Sequence, residues 1–68
     1  MRVKIWDTFL DYMGVMFIIT EVTPTKVMWV DENGNDHSES LDEFESEWDG
    51  ARYHRVKGII EHSTIVLE

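Results

Sequence analysis

Nine carboxylates stand in the 25 residues from Val27 to Ala51 with no Lys or Arg between them: Asp31, Glu32, Asp36, Glu39, Asp42, Glu43, Glu45, Glu47 and Asp49. Such a set can do three kinds of chemistry. Two carboxylates sharing a desolvated cleft split their pKa values and act as general acid and base. Several around one loop hold a calcium ion. A folded surface of them attracts basic proteins and repels nucleic acid. The rest of the chain carries six bases against five acids, so the net charge of −8 is localised in this window.

The first two chemistries find little support. Acid–base work needs a concave, water-poor site, which 68 residues rarely build. No Cys nucleophile and no Gly-rich phosphate loop occurs, and Ser38, Ser40, Ser46 and Ser63 have no strand-to-helix nucleophile elbow. No catalytic residue, and hence no enzyme activity, is expected. The run Asp31-Glu32-Asn33-Gly34-Asn35-Asp36 places its Gly fourth and an Asp (Asp42) twelfth, whereas a helix–loop–helix calcium site needs Gly sixth and Glu twelfth. It reads as a turn with solvated acids. His37 shares a strand face with Glu39, but two such ligands make only an adventitious metal contact. No metal and no cofactor is expected. Arg52, Arg55 and Lys57 accompany Tyr53 and His54, a mixture found on single-strand-binding surfaces. The net charge opposes approach to a polyanion. The expected role of these bases is to neutralise the acidic helix, in the same fold or in a neighbouring subunit, with no direct nucleic-acid binding.

The elements that must position the acids can be read locally. The length suits one domain, near the lower end of what folds alone. Without Cys or zinc-site spacing, stability must come from packing or self-association. Hydrophobic residues at 43% rule out compositional disorder. No apolar h-region follows Met1-Arg2-Val3-Lys4, and the longest apolar run, Val15–Ile19, is far short of a membrane span. A soluble, cytoplasmic protein without membrane contact is expected.

Val3–Leu10 reads as a first strand, or a strand with a bend. Asp11-Tyr12-Met13-Gly14 is a turn. Val15–Val22 is almost wholly apolar, as in a strand buried on both faces or meeting a partner on the second. Pro24 ends it. Lys26–Glu32 and Asn35–Ser40 form a hairpin about Asn33-Gly34, the pair that a two-residue type I′ turn favours. The polar second arm is an edge strand. Ser40-Leu41-Asp42-Glu43 matches a capping box. Leu41, Phe44 and Trp48 then recur on one face of a helix over Leu41–Asp49, which Gly50 can stop. Arg52–Lys57 is a fifth strand, Gly58 interrupts it, and Ile59–Leu67 adds a strand or an arm. Leu67-Glu68 has the look of a cloning scar.

These elements predict a mostly β (α+β) fold: a small bent antiparallel sheet, or partly open barrel, of about five strands with one short helix. The pattern of Phe17–Val22, the Lys26–Ser40 hairpin, Leu41-Asp42-Glu43-Phe44 and Tyr53–Val56 resembles the small SH3-like barrel proteins of phage and prophage genomes. The resemblance covers about Val15 to Lys57 and lies in element types rather than in a signature motif. It implies a barrel scaffold. Small acidic phage proteins of this look include inhibitors of host DNA-binding proteins, which implies a DNA mimic whose targets would be an HU-type nucleoid protein, RNA polymerase or a CRISPR nuclease.

Three readings of the acidic window follow. In the first, Glu43 and Glu47 at i, i+4 and Asp42, Glu45 and Asp49 at i, i+3, i+7 form two carboxylate rows that imitate DNA, with one charge per about 1.7 Å of duplex. A homodimer would lengthen the row. In the second, the chain is an SH3-like interaction or assembly module acting through an apolar surface, with Val15–Val22 and the tail as contact. In the third, the acids only solubilise a small apolar domain.

Overall fold

The computed structural model describes residues 2–60 and 64–68. Six antiparallel strands form one open sheet with a single helix: β1 (Thr8–Asp11), β2 (Met16–Val22), β3 (Lys26–Asp31), β4 (Asp36–Ser40), α1 (Leu41–Asp49), β5 (Tyr53–Ile60) and β6 (Thr64–Leu67). The strand order is β4-β3-β2-β1-β5-β6. The mostly β class and the helix stand as expected, with one strand more.

Val3 is buried, but the chain bends at Ile5-Trp6, so β1 is short. Trp6 takes a left-handed backbone, φ 72°, and donates its N–H to Ile19 O at 2.8 Å. β2 is not buried on both faces. Phe17 and Ile19 point into the core, whereas Ile18 remains 39% exposed. A bulge between Ile19 and Glu21 resets the alternation, so that Val22 again faces inward opposite Val27.

The hairpin about Asn33-Gly34 differs from the two-residue turn. Asp31 pairs with Asn35, enclosing Glu32-Asn33-Gly34 as a three-residue loop in which Gly34 N–H bonds Asp31 O and only Gly34 has positive φ. The Asp31 side chain decides this. Its Oδ1 accepts from the N–H groups of Asn33 and Asn35 at 2.8 and 3.1 Å, which starts the turn one residue earlier.

The helix has the expected bounds. Ser40 Oγ accepts from Glu43 N at 3.2 Å. At its other end Gly50 stays near helical φ, −80°, and Ala51 takes the left-handed turn at φ 61°. Gly50 lies so close to Ser46 O that an added Cβ would sit 3.1 Å from it, so its need for glycine is one of space. β5 runs through Gly58 rather than stopping there, with a register shift between Val56 and Gly58. Leu67 pairs with Val56 in the β5–β6 ladder, and the Glu68 N–H donates to Arg55 O at 2.9 Å just beyond its end. Of the expected terminal strand or arm, residues 61–63 lie outside the described residues.

One face of the curled sheet and the helix enclose the core of Val3, Phe9, Phe17, Ile19, Val27, Trp29 and Phe44. Phe44 is the helix's anchor, edge-on to Phe9 at 5.2 Å and to Phe17 at 6.3 Å. Trp48 is partly buried, edge-on to Phe9 at 4.9 Å and covered by the Arg2 guanidinium at 4.0 Å. No helix among the described residues is long and apolar enough to cross a membrane.

Candidate functional site: an aromatic groove rimmed by carboxylates

The two hairpin loops are built alike. Asp11-Tyr12-Met13-Gly14-Val15 repeats the plan of Asp31-Glu32-Asn33-Gly34-Asn35. In each, the Asp carbonyl accepts from the Gly N–H at 3.0 Å, and the Asp Oδ1 accepts from two loop amides: those of Met13 and Val15 in one, those of Asn33 and Asn35 in the other. Gly14 and Gly34 supply the matching φ of 83° and 84°. The loops stand on either side of a groove of about 280 Å³.

Aromatic rings form its floor. Phe17 lies 5.0 Å from Trp29 and 5.3 Å from Tyr53, and Trp29 lies 6.0 Å from Tyr53. One wall is Tyr12 and Met13, 64% and 73% exposed. The other is His37, stacked on Trp29 at 5.8 Å with Nε2 2.7 Å from Asp31 Oδ2. That hydrogen bond, with help from the loop amides, holds the Asp31 carboxyl below its ordinary 3.8.

Carboxylates collect at the same place. The Tyr53 hydroxyl donates to Glu39 Oε1 at 3.3 Å. Burial, then the Glu39 charge and hydrogen bond, then Glu47 and Asp11, hold the Tyr53 phenol well above its usual range. Burial chiefly raises Glu39 above its ordinary 4.5. Glu47 and Glu43 add to the rise, and the Tyr53 hydrogen bond opposes it. Glu43 and Glu47, at i, i+4, share one side of the helix, the side nearer Glu39.

The nine acids of the window divide into groups. Asp31 and Glu39 turn onto the groove face, and Glu32 and Asp36 are exposed on the hairpin. Asp42 and Glu43 are exposed in the first helical turn and Glu45 is half-buried. Glu47 pairs with Arg52 at 3.1 Å, and Asp49 with Arg2 at 2.7 Å. The two arginines after the helix are likewise engaged. Arg52 also lies over Tyr12 at 4.8 Å, and Arg55 bridges Asp7 and Glu68 at 3.2 and 2.7 Å. Among the described residues no three metal-ligating side chains converge. Charge counting missed Asp11, Tyr12, Trp29 and Tyr53 as groove residues. The repeated Asp-x-x-Gly spacing at Asp11 and Asp31 was a signal for Asp11 and Tyr12, whereas Trp29 and Tyr53 join them through strand pairing. Comparison with protein families, curated proteins and solved structures finds no match to this chain.

Proposed function

We propose that this chain is a non-enzymatic acidic protein that binds a basic nucleic-acid-binding protein in place of DNA and thereby inhibits it. The observation that carries this reading is the charge left unpaired on the β3–β4 hairpin and the helix that follows it. Glu32, Asp36, Asp42, Glu43 and Glu45, on the β3–β4 hairpin and α1, make no ion pair among the described residues, while Arg2 and Arg52 are already engaged. Like charges in this density cost stability, and a Lys/Arg-rich groove on a partner would offset that cost. Partners of this chemistry are a nucleoid protein of the HU type, RNA polymerase or a CRISPR nuclease, met in the cytoplasm of a bacterial host if the chain is of phage origin.

The test is a pull-down from bacterial lysate with wild type and with Glu43, Glu45 and Glu47 all replaced by Gln. The expected result is capture of a basic DNA-binding protein that salt and competing DNA release, and that the triple variant no longer retains. Equal capture by the variant overturns the reading. Folding should change by no more than about 0.5 kcal/mol, because relief of Glu43–Glu47 repulsion offsets the lost Glu47–Arg52 bridge.

A second reading, an interaction or assembly module acting through an apolar surface, is favoured by the exposure of Ile5, Trp6, Met13, Ile18 and Leu67, from 39% to 73%. Salt-resistant capture, or a homodimer in solution, would select it.

A further inference from the structure

We propose that the groove between the two hairpin loops is a receptor for an arginine side chain on a basic partner segment. This deepens the reading above and rests on it. The twin loops carry the argument. In the Asp31 loop, Oδ1 serves the loop amides and Oδ2 receives a nitrogen donor, His37 Nε2, whose ring stacks on Trp29. In the Asp11 loop, Oδ1 serves the equivalent amides and Oδ2 has no partner among the described residues. One loop thus already contains a planar, nitrogen-bearing group held between a carboxylate oxygen and an aromatic face. The other presents the same oxygen beside Tyr53 and Tyr12, with the outer face of Tyr12 covered by Arg52.

The lining selects the guest. Aromatic faces attract cations, and Arg stacks on them through its planar guanidinium better than the compact ammonium of Lys. Asp11, opposite Tyr53 in the β1–β5 ladder, and Glu39, at the Tyr53 hydroxyl, supply acceptors near that ring. Arg52 shows the chemistry at the mouth, its guanidinium over Tyr12 and its Nε on Glu47. The volume, about 280 Å³, falls just under the roughly 300–1,000 Å³ of sites for whole small molecules, and suits one side chain.

The probes are a capped Gly-Gly-Arg-Gly-Gly peptide and its citrulline counterpart, which has nearly the same shape without the charge, titrated into the full chain and followed by NMR. The arginine peptide is expected to shift the Trp29 indole and Tyr53 resonances saturably, with a Kd in the roughly millimolar range. The citrulline peptide, and the variants Tyr12→Ala and Asp11→Asn, should each bind about ten-fold more weakly. Asp11→Asn keeps the Oδ1 acceptor that holds the loop, so its effect is not one of folding. Arg52→Gln should tighten binding by freeing Tyr12, and Glu21→Gln, at an exposed carboxylate of β2 outside both surfaces, should change nothing. Equal binding of both peptides, or no shift at Trp29 and Tyr53, would overturn the groove assignment. Shifts confined to α1 and abolished by Asp42→Asn would also overturn it while leaving the basic-partner reading intact. Equal partner capture by the triple Gln variant, with arginine binding intact, would overturn the reading above and leave the groove assignment standing.

Discussion

The Tyr53 hydroxyl donates to Glu39 at 3.3 Å although their strands, β5 and β4, are separated in the sheet by β1, β2 and β3. The sheet is open in its hydrogen bonding, yet curled enough for these side chains to meet across its concave face. Burial and the charges of Glu47 and Glu43 raise the Glu39 carboxyl above its ordinary value. A carboxyl raised by folding favours the folded state while protonated, below about pH 4.5, and loses that contribution as pH rises through its folded pKa. Charged Glu39 therefore opposes folding at neutral pH. Glu39→Gln should stabilise at pH 7 by about 0.5 kcal/mol, and the gain should vanish below about pH 4. Urea melts of both proteins across that range check it.

Asp31 has the opposite sign. His37 and two loop amides hold its carboxyl below 3.8, so its contribution is present above that value and is lost as pH falls through the lowered folded pKa. Asp31→Asn should lower the melting temperature at pH 7 and converge on wild type in strong acid. A constant difference down to pH 2 would show that the carboxylate's charge is irrelevant to the hairpin.

The helix is held by one ring more than the other. Phe44 is fully buried among Phe9, Phe17, Trp29 and Tyr53, whereas Trp48 is partly buried at the edge beneath Arg2. Phe44→Ala should cost about 3–5 kcal/mol and Trp48→Ala about half as much. Denaturant melts that reverse this order would misplace the helix.

Two backbone positions offer opposite changes. Gly34 has φ 84° with open space about its Cα, so Gly34→Ala should cost about 1–2 kcal/mol through the backbone alone. Ala51 stands at φ 61° on the surface, and Ala51→Gly should gain about 0.5–1 kcal/mol. Thermal melts of the two variants should move in opposite directions.

Local chemistry determined much of this protein. The Ser40 cap and the Leu41, Phe44, Trp48 spacing specify α1 to the residue, and Lys26–Asp31 reads as a strand from its alternation, because such signals act between neighbours a few residues apart. Turn detail was less legible. Asn33-Gly34 points to a two-residue loop, but the Asp31 side chain captures the amides of Asn33 and Asn35 and lengthens it. Only the tertiary structure decided the groove. Asp11 and Tyr53 are 42 positions from each other in the chain and become neighbours because β1 pairs with β5. Glu39 reaches Tyr53 because the sheet curls. That Asp49 pairs with Arg2, 47 positions away, follows from that same long-range closure, whereas the Glu47–Arg52 pair spans only the end of the helix.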